Sequence, residues 1–266
     1  MLFIITGFDE SRNLANFFMI VAHHSPMLKQ LRLSNVDMGN VPIDALPSSI
    51  ESLAITESFL PSDLFQRALT LSSTAFLPHL RELDLSDTHT LYYSIRRPTE
   101  EDLDTVTVVT VVADIVRAWP ELRVLKLNRW KYTHSPDLAS VAGLRQLEVL
   151  EVAERGLYDE NGMIDVCNNL RATLRHLNVS GCSDFTDYCA GAVAPVMTNL
   201  QYLDASNCFF LTDDGLLQLA QLTQLRYLNI TMTELLRPWS LQSGISNDAI
   251  EELKTSLPEC NIVHEV

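Results

Sequence analysis

Apolar positions along this chain recur as one short motif, L-x-x-L-x-L, with longer apolar-periodic stretches between its copies. The motif appears as Leu28-x-x-Leu31-x-Leu33, Ile50-x-x-Leu53-x-Ile55, Leu80-x-x-Leu83-x-Leu85 and Leu122-x-x-Leu125-x-Leu127. It continues as Leu147-x-x-Leu150-x-Val152, Leu174-x-x-Leu177-x-Val179, Leu200-x-x-Leu203-x-Ala205 and Leu225-x-x-Leu228-x-Ile230. Degenerate copies are expected at Leu2-Phe-Ile4 and Asn261-Ile-Val263. Intervals between the central leucines are 22, 30, 42, 25, 27, 26 and 25 residues. Side chains alternate across a strand, so the two apolar residues of L-x-L face the same way and predict a short strand. Leu14, Phe17, Phe18 and Val21, and later Leu216, Leu217, Leu219, Ala220 and Leu222, recur at helical spacing after such strands.

A strand, a turn and a helix repeated every 20–29 residues define leucine-rich repeats. Each unit has an apolar face that it cannot bury alone, and stacking the units buries it. The expected fold is therefore an α/β solenoid, a ribonuclease-inhibitor-like horseshoe with a parallel sheet on the concave side and helices on the convex side. No Gly/Ser- or Pro-rich linker divides the chain, so one domain of about eight to ten repeats is expected over 1–266. The 42-residue interval holds an insertion near 87–119. Within it Tyr92, Tyr93, Arg96 and Arg97 predict an exposed loop, either a partner contact or a rim insertion with no role. Thr99 is placed as an N-cap, ahead of a helix from Leu103 to Trp119. Its run of β-branched residues lowers helix propensity and leaves a strand as the alternative.

Positions on either side of the central leucine face the concave side. The preceding row reads Gln30, Ser52, Glu82, Val124, Val149, His176, Tyr202, Tyr227; the following row reads Arg32, Ala54, Asp84, Lys126, Glu151, Asn178, Asp204, Asn229. Strands stack about 4.8 Å apart, which predicts a contiguous ridge of His176, Tyr202 and Tyr227. Arg175 and Arg226 flank it and Asp204 lies nearby. Tyr and Arg are enriched where binding energy concentrates, so these six residues are the candidate partner-binding set.

Cys182 and Cys208 each follow the last strand residue by three, the position where a small buried polar group ties down the turn. Thr186-Asp187 and Thr212-Asp213 come next, able to cap the helices they open. The remaining cysteines, Cys167, Cys189 and Cys260, make an odd total with no C-x-x-C pair. Neither a disulfide framework nor a zinc site is expected, and a reducing compartment, cytoplasm or nucleus, is. The net charge of −15 argues against nucleic acid and against anionic membranes, and permits a basic protein partner. The N-terminus has no basic region, and the apolar stretch from Val106 to Val116 is too short and too interrupted to span a bilayer. No phosphate-cradling loop and no H-E-x-x-H motif occurs, and His23-His24 are adjacent on a helix and point in different directions. No catalytic residues, metal or cofactor are expected; the chain is expected to be a monomer that binds another protein.

Gly181-Cys182-Ser-Asp-Phe-Thr-Asp187 and Asn207-Cys208-Phe-Phe-Leu-Thr-Asp-Asp-Gly-Leu-Leu-Gln-Leu-Ala220 resemble the cysteine-containing repeats of the F-box/leucine-rich-repeat family. Pro26-Met-Leu-Lys-Gln-Leu-Arg-Leu33, Val36-Asp37, Val41-Pro-Ile-Asp-Ala-Leu-Pro-Ser48 and Leu257-Pro-Glu-Cys-Asn-Ile-Val263 are similar to early and last repeats of that family. The resemblance implies the substrate-recognition part of an SCF-type ubiquitin ligase. In such receptors an N-terminal F-box grips a Skp1-type adaptor and the repeats hold the substrate. Met1 is expected to fall on a repeat strand, with no F-box in this sequence. A Skp1-type contact is thus expected only if an F-box exists upstream. The alternative is a stand-alone repeat adaptor or assembly factor without a ubiquitin role.

Overall fold

The computed structural model describes residues 2–8, 11–39, 46–61, 76–88, 111–130, 138–154, 160–232 and 244–264. They fall into two compact units, Met1–Val141 and Ala142–Val266. In the first unit the described elements are β1 (Leu2–Phe8), α1 (Ser11–His24), β2 (Gln30–Val36), β3 (Ser52–Thr56), β4 (Glu82–Asp84), α2 (Val111–Ala118) and β5 (Val124–Lys126). In the second they are β6 (Val149–Glu151), α3 (Glu160–Leu170), β7 (His176–Asn178), α4 (Asp187–Val193), β8 (Tyr202–Asp204), α5 (Asp213–Gln218), β9 (Tyr227–Asn229), α6 (Asn247–Ser256) and β10 (Asn261–Val263). Short 3-10 turns lie at Leu138–Gly143 and Leu219–Gln221.

Each unit is a stack of leucine-rich repeats. Strands β1 to β5 pair in parallel and in chain order, as do β6 to β10, and the register sets leucine against leucine. Leu31 faces Leu53, which faces Leu83, which faces Leu125. Leu150, Leu177, Leu203 and Leu228 align likewise, ending at Ile262. All these leucines are buried, whereas their neighbours in β4 to β9 are partly exposed. That alternation follows from the pleat. Fully burying a Leu stabilises by roughly 1.5–3 kcal/mol, so the aligned column is a principal cohesive element of each unit. Both degenerate copies form strands, β1 and β10, but in β1 the register sets Phe3 and Ile5 against Leu31 and Leu33, so Leu2 and Ile4 are exposed rather than facing the core.

The turn after each strand repeats as faithfully as the strand. Two residues beyond the last apolar strand position the backbone turns left-handed, at Asn35, Glu57, Asp87, Arg129, Glu154, Gly181 and Asn207. A positive φ strains a non-glycine residue. Here the turn aims the residue's N–H at the next repeat: Glu57 donates to Ser86 O (3.2 Å), Asp87 to Asn128 O (2.8 Å), Gly181 to Ser206 O (2.8 Å) and Asn207 to Thr231 O (2.9 Å). The residue after the central leucine closes the same turn. Asp84, Asn178, Asp204 and Asn229 accept from the N–H two residues on, at 3.0 to 3.1 Å.

Cys182 and Cys208 sit where the repeat calls for a small polar group. Their thiols donate to Val152 O and Val179 O of the preceding repeat, both at 3.2 Å. In the first unit Ser58 occupies that position, accepting from Val36 N at 3.1 Å and donating to Thr56 O at 2.6 Å.

Thr186 caps α4 through its hydroxyl, which accepts from Cys189 N at 3.3 Å. Thr212 differs from expectation, since its side chain makes no cap to its own helix. Asp187 of the preceding repeat supplies the cap instead, accepting from Thr212 N (2.7 Å), Thr212 Oγ1 (2.6 Å) and Gly215 N (3.1 Å). A Cβ on Gly215 would lie 2.2 Å from Asp187 Oδ1, so glycine is needed for this approach. The helix expected from Leu103 to Trp119 is seen at Val111–Ala118, burying Val112 and Ile115, with Trp119 buried just beyond it. The strand alternative does not apply to this part. Thr99, Leu103 and the rest of that prediction lie outside the described residues.

Candidate functional site

In the second unit the open side of the sheet, facing away from the buried leucines, carries the predicted ridge. Register brings His176, Tyr202 and Tyr227 side by side on β7, β8 and β9. The rings are stacked face to face. His176 and Tyr202 have centroids 3.9 Å apart and planes 4° from parallel; Tyr202 and Tyr227 are 4.6 Å and 5° apart. Each such contact adds about 0.5–1.5 kcal/mol beyond area burial, so the rings are held in place before any partner arrives. Their backbones are fixed too, since His176 N donates to Glu148 O, Tyr202 N to Arg175 O and Tyr227 N to Gln201 O.

Arg175 and Arg226 are exposed and stand just ahead of β7 and β9, with exposed Gln201 between them in the row. Asp204 lies on the other side of the ridge, half-buried. Its Oδ1 accepts from Ser206 N and Oγ, and its Oδ2 from Asn229 Nδ2 at 3.2 Å. Asp204 therefore holds the end of β8 and its link to β9 as well as bordering the ridge. Burial, and then the nearby Asp204 carboxylate, raise the Tyr202 phenol above its ordinary value and keep the hydroxyl protonated.

Glu151 was not among the six candidates. It sits on β6 with Oε1 3.5 Å from His176 Nε2, an ion pair when the imidazole is charged. At that distance and angle the contact is not a hydrogen bond, and His176 Nε2 has none. The signal was available in the register: Val149-Leu150-Glu151 pairs with His176-Leu177-Asn178, so Glu151 borders the first ring.

Tyr92, Tyr93, Arg96 and Arg97 lie outside the described residues. His23 and His24, expected to point apart at the end of α1, instead touch edge to face with ring centroids 4.9 Å apart. Cys167, Cys182, Cys189 and Cys208 are buried, and Cys260 is half-buried. Burial pushes the Cys189 thiol up to about 12, and raises those of Cys167 and Cys208 as well. Among the described residues no three His, Cys, Asp or Glu side chains gather as metal ligands would, and no helix is long and apolar enough to cross a membrane.

The aligned L-x-L strands, the left-handed turns and the helices between them define the chain as a leucine-rich-repeat protein. No family model matches it. The DNA repair protein rhp7 of Schizosaccharomyces pombe is 26% identical over 216 residues, 78% of this chain and 34% of that protein. The chain thus spans about a third of the length of this curated relative. Among solved structures, a leucine-rich-repeat protein of Leptospira interrogans is similar with a TM-score of 0.49 at 19% identity, covering 89% of this chain and 55% of that one. Rad7 in its yeast complex with Elc1 is similar with a TM-score of 0.41 at 14% identity, covering 96% and 83%.

Proposed function

We propose that this chain is a protein-binding repeat domain, the substrate-recognition part of an SCF-type ubiquitin-ligase receptor, and that it holds its substrate on the open face of β7 to β9. The observation that carries the binding role is the stack of His176, Tyr202 and Tyr227. Aromatic rings already ordered by one another lose little side-chain entropy on binding and offer apolar edges with polar tips, as interface hot spots do. The receptor assignment is supported by the resemblance of the Cys182 and Cys208 repeats to the F-box/leucine-rich-repeat family. Ubiquitin transfer would be the work of other subunits, and this chain would contribute no catalytic residue. The setting would be cytoplasmic or nuclear.

A second reading is a repeat adaptor with no ubiquitin role that works in DNA repair. Its support is the likeness to rhp7, a DNA repair protein. One experiment separates the two. The gene is tagged at its own locus, its product is purified, and the co-purifying proteins are quantified by mass spectrometry. Stoichiometric cullin and Skp1-type adaptor, with partners that accumulate when the gene is silenced, are the receptor's signature. Repair factors at unchanged levels, with no ligase subunit, would replace it with the adaptor.

A further inference from the structure

We infer that the open face of β7 to β9 takes an acidic partner segment, rich in Asp and Glu carboxylates, seated on Arg175 and Arg226 beside the Tyr202 and Tyr227 hydroxyls. The inference rests on the reading that this face is the partner site. It turns on which hydrogen-bonding groups of the face are already engaged.

The acceptors are engaged. Asp204 takes Ser206 N, Ser206 Oγ and Asn229 Nδ2. Asn178 Oδ1 takes Ser180 N and Asn229 Oδ1 takes Thr231 N. On neighbouring β6, Glu151 lies 3.5 Å from His176 Nε2, an ion pair only when the imidazole is charged. The donors are not engaged. Among the described residues, the guanidinium groups of Arg175 and Arg226, the Gln201 amide and the two phenol hydroxyls have no hydrogen-bond or ion-pair partner. Arg175, Gln201 and Arg226 occupy one row on successive strands, for Gln201 N donates to Arg175 O and Arg226 N to Gln201 O, both at 2.8 Å. The two arginine stems therefore rise roughly 10 Å apart, twice the strand spacing.

Ring geometry points the same way. A cation is attracted to the face of an aromatic ring and repelled by its electropositive edge. Stacking at 4° and 5° covers the faces shared along the ridge and leaves edges towards solvent. The ridge is therefore no cage for a lysine or arginine. Its edges, its hydroxyls and its flanking guanidinium groups all favour oxygen acceptors, and Arg binds carboxylate in bidentate fashion.

This partner runs against the chain's net charge of −15, which taken alone permits a basic one. At physiological salt the overall field is screened beyond about 8 Å, so nearby groups decide the pairing, and there the two arginines must outweigh the Asp204 and Glu151 carboxylates beside Tyr202. Long-range repulsion would slow association without preventing it.

The test pans a random-peptide display library against the whole chain, its Arg175→Gln/Arg226→Gln variant and its Tyr202→Ala/Tyr227→Ala variant, each with its circular dichroism checked first. Both arginines are exposed, so their replacement leaves the fold intact. Peptides selected on the wild-type chain are expected to be enriched in Asp and Glu, and to lose about tenfold or more in affinity for the arginine variant. Enrichment in Lys or Arg, no charge bias, no selected peptide, or acidic peptides that bind the arginine variant as well as wild type would each overturn the inference. Peptides that bind the tyrosine variant undiminished would sink the reading of this face as the site. Peptides that need the tyrosines yet carry Lys or Arg would sink only the acidic partner.

Discussion

The two units are built from the same repeat and join one repeat to the next differently. In the first, strands β1 and β2 are seven residues long and β3 is five. Neighbouring repeats from β1 to β3 share long backbone ladders, whereas β4 and β5 have three residues each, and the intervals between central leucines are irregular. In the second, every strand has three residues, and side chains tie each helix start to the next. The first residue of each helix takes a hydrogen bond from the cap residue of the next helix: Glu160 from Thr186 Oγ1 (2.5 Å), Asp187 from Thr212, and Asp213 from Ser246 N (2.7 Å). These ties span 26, 25 and 33 residues, so the same contact recurs even where the last repeat is longer. Parallel register brings His176, Tyr202 and Tyr227 into one stack; the matching row of the first unit, Gln30, Ser52, Glu82 and Val124, is aligned the same way and holds no aromatic residue.

The leucine columns should not distinguish the units. Leu53→Ala and Leu203→Ala remove side chains buried alike. Each is expected to cost about 3 kcal/mol in chemical denaturation. A loss in the second unit several-fold larger than in the first would mean that the core, rather than the lateral ties, separates them.

The lateral ties come next in size. Gly215→Ala forces a Cβ to within 2.7 Å of Asp187 Cα and should cost about 2–3 kcal/mol. Asp187→Ala leaves the N–H groups of Thr212 and Gly215 and the Thr212 hydroxyl without their acceptor, at about 2 kcal/mol. Asp187→Asn, which keeps an acceptor oxygen, should lose less. Equal losses for the Ala and Asn variants would remove the claim that acceptance by Asp187 joins these repeats.

Two smaller effects sharpen the contrast. Buried thiols with raised pKa values hold little thiolate at pH 8. Iodoacetamide should label Cys260 first in the native protein, slowly because partial burial raises its thiol too, and reach the other four only on unfolding. Rapid native labelling of Cys182 or Cys208 by mass spectrometry would show that the turns they hold are open. In the first unit Lys29 and Glu51 pair at 2.5 Å on the surface. The hydrogen bond from Lys29 lowers the Glu51 pKa, so its contribution is present above the carboxylate range and fades as pH falls through it. The pair is exposed and screened, so Lys29→Met should leave the melting temperature at pH 7 unchanged. A clear drop would give surface pairs a part in the first unit that backbone ladders are held to play.

The strands are legible because a period of two needs few residues to declare itself; the register is legible from β2 onward, while in β1 the apolar run Leu2-Phe-Ile-Ile5 hides it, and Phe3 and Ile5 rather than Leu2 and Ile4 continue the leucine columns. The aromatic ridge was legible by the same route, since stacking repeats converts sequence position directly into adjacency. The left-handed turns were not. Only Gly181 of that series is glycine, and Glu57, Asp87 and Glu154 adopt positive φ where their N–H groups donate to the neighbouring repeat's carbonyls rather than by intrinsic preference. Asp187 was read as belonging to its own helix start, because a carboxylate there ordinarily caps its own helix; that it serves the next repeat depends on a partner 25 residues away. Asp204 read as a surface contact for the same reason, its hydrogen bonds to Ser206 and Asn229 being products of the turn and the stack.

The account stands or falls on the open face of β7 to β9. Its most direct measurement is the affinity of the Tyr202→Ala/Tyr227→Ala variant for the partner recovered with the wild-type protein, alongside thermal unfolding of both. The account predicts binding weaker by about tenfold or more, with cooperative unfolding retained, because the rings lie on the solvent side of strands whose leucines are untouched. Undiminished affinity in a folded variant would contradict it and move the partner site elsewhere on the chain.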